Sequence, residues 1–394
     1  MANTTTEISP DNDFEKKSNF AADSKVDKDD APKTFKEKLE ALNQKVVALS
    51  SVPVSEKIFF TQNLMVMIRA GISISDALKT LEEQTTNARL KQILSDVYQK
   101  VDRGVSLADS LEPYKKDFGE LYINMIKTGE ASGQLEQVLN QLTIQMKKDH
   151  HLKSKVKGAM VYPTIVVVAM IVIMILMFVF VIPQITSIFK EVDAELPLPT
   201  QILIAISDFV VNNGLMVGLA AVIIIFSFVK FIKSKKGKKI WHAFLLKLPI
   251  ISTILKKVNL ARFSRTISSL LKTDIPITET FTITGRVLGN SSYKDVVFSA
   301  AEELKKGVNI YTTLSKYPRL FPPIVTHMIA VGEETGSLDE ILEQLAIFYE
   351  EEVDQTMSTL TSTLEPILML MLGLGVGSIA VAVIMPMYSL TQQF

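Results

Sequence analysis

Residues 161–182 read VYPTIVVVAMIVIMILMFVFVI, a run of 22 residues without Asp, Glu, Lys, Arg or His. As a helix this run is about 33 Å long, which is enough to cross a hydrocarbon layer of about 30 Å. It therefore predicts a transmembrane helix at 161–183. The composition agrees, because 47% of the 394 residues are hydrophobic, which is high for a soluble chain.

Two more uncharged stretches follow, at 209–229 and 366–394. They predict transmembrane helices at 209–232 and 366–388. Buried helices of a soluble protein are a poor alternative, since three uncharged stretches of this length rarely occur in one soluble chain. The chain is predicted to be a membrane protein with three spans.

Lysines mark the cytoplasmic ends of the spans. They precede the first span at Lys147, Lys148, Lys153, Lys155 and Lys157 and follow the second at Lys230, Lys233, Lys235, Lys236, Lys238 and Lys239. The segment between, 184–208, has one lysine against four acidic residues, which predicts an extracytoplasmic loop. The N-terminus is then cytoplasmic and the C-terminus extracytoplasmic.

An internal repeat appears when the chain is shifted by 203 residues. The shift places Phe60 on Phe263 and Phe118 on Phe321, and it continues without a gap into the spans. It pairs Gly129, Glu130, Gly133 and Pro163 with Gly332, Glu333, Gly336 and Pro366. The repeat predicts two homologous cytoplasmic domains, at 55–160 and 233–365, each leading into a transmembrane helix.

Apolar residues in both domains follow a helical spacing, so both are predicted to be all-α helical bundles. The shared Gly-Glu-Xaa-Xaa-Gly motif, at 129–133 and 332–336, predicts a tight corner between two helices, since glycine tolerates the positive φ at which a helix ends. These corners are candidates for a structural or coupling role. Pro163 and Pro366 mark the entrances of the first and third spans.

The N-terminal segment, 1–54, is predicted to be a disordered tail followed by a short amphipathic helix. Residues 1–32 contain few large apolar groups and do not bury enough surface to become ordered. Phe35, Leu39, Leu42 and Val46 then follow one helical face. That helix packs on its own domain, on a partner or on the membrane surface, and the sequence leaves these alternatives open.

The sequence offers no catalytic, cofactor-binding or metal site. There is no cysteine and no phosphate-binding Gly-Xaa4-Gly-Lys motif, and the adjacent His150 and His151 point about 100° apart on a helix, which does not suit a shared metal. Balanced charge gives no reason to expect nucleic acid. The exposed charges of Arg69, Lys79, Glu82 and Glu83 form either a solvated face or a docking face.

The spans contain closely spaced glycines, Gly214 and Gly218 in the second and Gly373 and Gly377 in the third. Such spacing allows close contact between helices. Packing of spans within one subunit and packing between subunits remain equally good explanations.

The sequence resembles the type II secretion F / pilus PilC family of platform proteins over about residues 55–390. The resemblance rests on RAGISI at 69–74 with KTDIPI at 272–277, on the two Gly-Glu motifs, and on Tyr162-Pro163 and Glu365-Pro366. Two positions depart from the family pattern. Ser73 replaces a usual proline and Asp274 replaces a usual glycine, which puts the local turn geometry in question.

The resemblance implies a non-enzymatic platform protein of the bacterial inner membrane, either of a type IV pilus or of a type II secretion system. The implied partners are a hexameric assembly ATPase, pilin or pseudopilin subunits, other inner-membrane assembly proteins, membrane lipid and a second copy of the chain in a dimer or tetramer. A small-molecule transporter or channel component is the alternative; it predicts ionisable groups within the spans. A membrane-anchored enzyme would need a convergent acid/base or metal cluster.

Overall fold

We describe a computed structural model covering residues 51–191 and 198–391. The predicted tail and amphipathic helix lie outside these residues. The described residues belong to one unit of helices without a strand. The first repeat contains α1 Val54–Arg69, α2 Ile74–Gln84, α3 Ala88–Asp102, α4 Leu107–Leu111, α5 Lys115–Phe118, α6 Glu120–Ser132 and α7 Leu135–Leu176.

The second repeat, preceded by a connector, has the same order of helices except that the short helix α5 has no helical counterpart. The connector contains α8 Ile182–Glu191, α9 Leu198–Asn212, α10 Gly214–Lys233 and α11 Lys235–Leu245. The repeat itself contains α12 Pro249–Leu271, α13 Ile277–Val287, α14 Ser291–Leu304, α15 Ile310–Leu314, α16 Pro323–Thr335 and α17 Leu338–Thr391. This arrangement confirms the predicted all-α fold with two homologous helical domains.

Equivalent aromatic side chains form the centre of each domain. The ring centroids of Phe60 and Phe118 lie 5.9 Å apart in the first domain, and those of Phe263 and Phe321 lie 5.1 Å apart in the second. Both contacts are edge to face, the geometry that aromatic rings prefer. All four side chains are buried, so the 203-residue repeat in sequence is also a repeat of the core.

The two positions that depart from the family pattern lie in equivalent turns, between α1 and α2 and between α12 and α13, without disturbing the fold. Ser73 is the N-cap of α2, where its Oγ accepts a hydrogen bond from the Asp76 amide at 3.1 Å. Asp274 has φ +58° where its counterpart Gly71 has φ +82°. Asp is among the few residues with a side chain that adopt this left-handed region, and the turn is therefore kept.

Three helices among the described residues are long and apolar enough to cross a membrane. They are the helical stretches Leu135–Gln184, Gly214–Lys233 and Leu338–Gly377. Helices α7 and α17 each continue from a domain into such a stretch, and each passes through its proline, Pro163 or Pro366, without ending. Most apolar side chains of these segments are exposed in the isolated chain, as expected of residues that face lipid.

The connector differs in detail from the sequence-based boundaries. The second span was predicted at 209–232; in the structure Asn213 separates α9 from α10, and the candidate spanning helix is Gly214–Lys233. The segment predicted as a loop, 184–208, is helical in its described parts, α8 and the start of α9. Its apolar residues stabilise helices, and the Asn-Asn-Gly sequence at 212–214 ends the second of them.

Candidate functional site

Glu130 connects two helices of the first domain. Its carboxylate oxygens accept hydrogen bonds from the backbone amides of Leu107 at 2.7 Å and Ala108 at 3.0 Å. These amides begin the short helix α4 and have no partner within that helix. A carboxylate at this end also interacts favourably with the helix dipole. Glu130 therefore fastens α4 to α6.

Glu333 makes the same arrangement in the second domain. Its carboxylate oxygens accept hydrogen bonds from the amides of Ile310 at 2.7 Å and Tyr311 at 3.0 Å. Helix α15 is thus capped by α16 as α4 is capped by α6. We call these two arrangements the glutamate corners.

The glycines of the corners have two separate roles. Gly133 and Gly336, with φ of +72° and +74°, are the residues at which α6 and α16 end. At Gly129 an added Cβ would lie 2.7 Å from Val138 Cγ2, and at Gly332 it would lie 3.0 Å from Leu338 Cα. The absence of a side chain thus lets α6 approach α7, and α16 approach α17, at short distance.

A polar seam joins the first repeat to the second. Gln145 of α7 is buried; its Oε1 accepts a hydrogen bond from Ser269 Oγ at 3.0 Å, and its Nε2 donates to Thr266 Oγ1 at 3.3 Å. Gln141 Nε2 donates to the same Ser269 hydroxyl at 3.0 Å. Helix α12 of the second repeat is therefore held against α7 of the first by side chains that satisfy one another.

The seam continues as a buried ionic cluster. The Arg265 guanidinium donates to both carboxylate oxygens of Glu350, at 2.8 Å and 3.0 Å, and only 5% and 9% of the two side chains are exposed. Lys148 Nζ of the first repeat lies 3.0 Å from Glu350 Oε2. Two cations thus compensate one buried carboxylate, which suits a low-dielectric environment. The cluster ties α7, α12 and α17 together.

His151 and Asp354 complete the seam on the side of the candidate spans. His151 Nε2 lies 3.1 Å from Asp354 Oδ2, and the residues are 203 positions apart. They occupy the same position in the two repeats, so their contact locates the axis that relates one repeat to the other.

The structure places the other residues singled out from the sequence as follows. Pro163 is a buried residue within α7, whereas Pro366 is exposed within α17. An added Cβ at Gly214, Gly218, Gly373 or Gly377 would meet no atom within 4 Å. No contact between spans in the described residues thus accounts for these four glycines.

Sequence reasoning did not find the seam. Gln145, Arg265 and Glu350 lie at helical spacings that are also typical of an ordinary charged face. The 203-residue shift pairs His151 with Asp354. A basic and an acidic residue at equivalent positions were the one signal in the sequence for a contact between the repeats.

The fold and these corners define a membrane protein with a duplicated helical domain and three candidate spans. Comparison with protein families assigns the class. The model of "Type II secretion system (T2SS), protein F" matches residues 60–183 and again 263–386, which is the same 203-residue shift. The chain belongs to this family, as its sequence pattern predicted, and the family consists of non-enzymatic platform proteins.

Individual relatives match over most of their length. The type IV pilus assembly protein PilC of Thermus thermophilus is 34% identical over 331 residues, covering 84% of this chain and 81% of the relative. The type II secretion system protein F of Aeromonas hydrophila is 31% identical over 357 residues, covering 91% and 92%. The PilC protein of Pseudomonas aeruginosa is 32% identical, covering 84% and 88%. The family and the apolar helices together fit a protein of the inner membrane.

Proposed function

We propose that this chain is the inner-membrane platform of a type IV pilus or type II secretion machine. In this role it couples a hexameric cytoplasmic ATPase to the insertion of pilin or pseudopilin subunits into the fibre. The observation that carries the proposal is that each glutamate corner leads directly into a candidate span. Helix α7 begins at Leu135, two residues after Gly133, and α17 begins at Leu338, two residues after Gly336.

Continuous helices make such coupling mechanically reasonable. A displacement of α4 acts on α6 through Glu130, and α6 packs closely on α7 at Gly129. The second domain offers the same path through α15, α16 and α17. The seam holds α7 and α17 together through Lys148 and Glu350, so the two spans would move as a pair rather than separately.

The proposed topology places both domains, and the docked ATPase, in the cytoplasm. Three spans with the N-terminus inside and the C-terminus outside satisfy the lysine distribution around the first two spans. The extracytoplasmic side then carries the segment between α7 and α10. Pilin subunits and other inner-membrane assembly proteins would meet the spans within the bilayer.

A second copy of the chain is the proposed neighbour of the span glycines. Gly214 and Gly218 on α10, and Gly373 and Gly377 on α17, have open space around them in one chain. Small residues at this spacing allow helices of two subunits to approach closely. This favours packing between subunits in a dimer or tetramer over packing within one subunit.

A small-molecule transporter or channel is the less suitable alternative. Transported ions and polar substrates are usually met by ionisable groups at bilayer depth. The apolar stretches 161–182, 209–229 and 366–394 contain no Asp, Glu, His, Lys or Arg.

Mild crosslinking of native membranes followed by purification of the chain tests the proposal. We expect a hexameric secretion ATPase and pilin-like proteins among the captured partners. Capture of self-copies alone, with crosslinker reaching known membrane complexes in the same sample, would contradict the platform function while leaving the fold intact. A reconstituted flux of small molecules would instead support the alternative.

A further inference from the structure

The segment from the end of α9 through α12 carries charge of one sign. Residues 209–273 contain 12 Lys and Arg residues and no Asp or Glu. Four of them, between residues 257 and 272, form ion pairs with carboxylates of other helices. The pairs are Lys257 with Glu352, Arg262 with Asp149, Arg265 with Glu350, and Lys272 with Glu343.

Lysines at the end of the second span differ from these. Lys230 and Lys233 on α10, and Lys236 and Lys238 on α11, are exposed, and in the described part of the chain none has an ion pair. Lys239, by contrast, is paired with Asp295 Oδ2 at 2.7 Å. Lys230, Lys233, Lys236 and Lys238 thus form a cluster of cations without an acidic partner among the described residues, at the end of the second candidate span.

The turn between α10 and α11 fixes where these lysines lie. Ser234 Oγ accepts a hydrogen bond from the Gly237 amide at 3.0 Å, and a Cβ at Gly237 would lie only 1.9 Å from Phe231 O. The ring of Trp241 then contacts Phe228 of α10 with centroids 5.3 Å apart. Helix α11 thus folds back beside the last turns of the span.

Helix α11 and the first turn of α12 also have exposed apolar side chains. Ile240 is 60% exposed, Phe244 49%, Ile250 58% and Ile251 40%. Such exposure is unfavourable in water. A helix with a lysine-rich face, exposed aromatic and aliphatic residues, and a tryptophan at the end of a span has the properties of an interfacial helix.

We propose that α11 lies in the membrane–water interface and that Lys230, Lys233, Lys236 and Lys238 bind the headgroups of anionic phospholipids. Charge complementarity selects this occupant, because no carboxylate of the described chain approaches the four ammonium groups. Continuity with α10 brings them to headgroup depth. The inference rests on the proposed placement of α10 in the membrane.

Lipid bound at α11 would also hold the second domain. His242 Nδ1 accepts a hydrogen bond from the Ser291 amide at 3.1 Å, and Lys239 pairs with Asp295. Both partners belong to α14. Anionic lipid bound to α11 would therefore hold α14, and with it the second domain, close to the bilayer.

Trp241 is the sole tryptophan of the chain, so its fluorescence reports on α11 without a label. The full chain is reconstituted into unilamellar vesicles with equal parts of phosphatidylglycerol and phosphatidylcholine, which add no tryptophan of their own. In one preparation the phosphatidylglycerol carries bromine near the top of its acyl chains, and in the other the phosphatidylcholine does. The two preparations contain the same lipids in the same proportions. A difference in Trp241 quenching between them therefore measures which headgroup is enriched around α11.

We expect brominated phosphatidylglycerol to be enriched around Trp241 about fivefold over phosphatidylcholine, the effect of roughly one lysine near an anionic surface. High salt is expected to remove the difference. Equal quenching by the two lipids would overturn the headgroup binding. Quenching by neither would instead contradict the placement of α10 and α11 at the membrane.

A variant in which all four lysines are replaced by glutamine is expected to lose the enrichment. The matched control replaces Lys79, Lys91, Lys116 and Lys127 of the first domain, which are also exposed and have no ion pair among the described residues. The control is expected to retain the enrichment, and loss in the control would overturn the assignment to α11. If the four-lysine variant does not insert into the membrane, the comparison of the two brominated lipids in the wild-type chain still tests the proposal.

Discussion

His151 Nε2 and Asp354 Oδ2 lie 3.1 Å apart although the two residues occupy the same position in successive repeats. Equivalent residues meet in this way only near the axis that relates the repeats. The side chains are 50% and 37% exposed, and such pairs contribute at most about 1 kcal/mol. The contact therefore locates the axis, while the stability of the seam must come from its buried part.

Loss of the carboxylate charge at Glu350 is expected to weaken that buried part. Glu350→Gln leaves Arg265 with Glu343 as its remaining acidic neighbour, 3.6 Å away. Breaking a buried pair costs about 3 kcal/mol or more because one charge stays uncompensated. The thermal midpoint of the detergent-solubilised chain should fall clearly. Glu351→Gln, an exposed neighbour, is the control, and an equal effect of the two variants would contradict a special role of the cluster.

The close approach at Gly129 predicts a rescue experiment. Gly129→Ala should destabilise the first domain by about 1–3 kcal/mol through overpacking. Val138→Ala in the same chain should restore part of this, because it removes Val138 Cγ2, 2.7 Å from the added Cβ, although Val138 Cβ at 2.9 Å remains. Gly332→Ala should not be restored by Leu338→Ala, since the close atom there is Leu338 Cα.

Gly158→Ala serves as the control for these variants. It lies within α7, and an added Cβ meets nothing within 4 Å. It should leave stability unchanged or raise it by about 0.5–1 kcal/mol. The thermal midpoints of all five variants check the series. Equal recovery of the midpoint by Val138→Ala and by Leu338→Ala would contradict the difference described between Gly129 and Gly332.

The left-handed residue Asp274 predicts an order of stability. Asp274→Gly should raise the free energy of unfolding by about 0.5–1 kcal/mol, since glycine adopts φ +58° without a steric cost. Asp274→Ala should lower it by a similar amount. The counterpart change Gly71→Asp should be destabilising. An unchanged midpoint for all three would mean that this turn stores no strain.

Acidification is expected to loosen α11 from α14. Burial, together with the positive charge of Lys238, lowers the pKa of His242 below 6.5, and its Nδ1 must be unprotonated to accept from the Ser291 amide. A lowered folded-state pKa means that the unfolded state binds the proton more readily. The stabilisation is therefore present above the unfolded pKa of about 6.5 and decreases as the pH falls.

Trp241 fluorescence between about pH 7.5 and pH 5.5 follows this change, since the window spans the ordinary pKa of histidine. His242→Asn offers an amide oxygen in place of Nδ1 and should remove the pH dependence. The same pH response in wild type and variant would assign it to another group.

The repeat allowed most of the fold to be predicted from the sequence. Two matched copies doubled the evidence for each helix, and the uncharged spans could be recognised from hydropathy. The break at Asn213 was not predicted because the apolar pattern continues across it. Helix ends of this kind depend on a short polar sequence within a long apolar one.

The site was predicted less completely. The two Gly-Glu motifs were visible as repeated letters, but the partner of Glu130 lies 23 residues earlier, at the Leu107 amide, and no sequence spacing reveals a bond to a distant backbone group. The seam depends on how α12 packs between α7 and α17. Such packing follows from the three-dimensional arrangement rather than from periodicity.

The measurement that tests the central claim most directly is fibre output from cells carrying Glu130→Ala and Glu333→Ala together. Each change removes both hydrogen bonds to a helix N-terminus, at about 1–2 kcal/mol, and should uncouple α4 and α15 from the spans. Glu334→Ala with Glu351→Ala is the matched control, since both side chains are exposed and unpaired in the described residues. We predict normal membrane levels and ATPase capture for both pairs, with pilus or secretion output lost only in the corner pair. Normal output from the corner pair would contradict coupling through the glutamate corners.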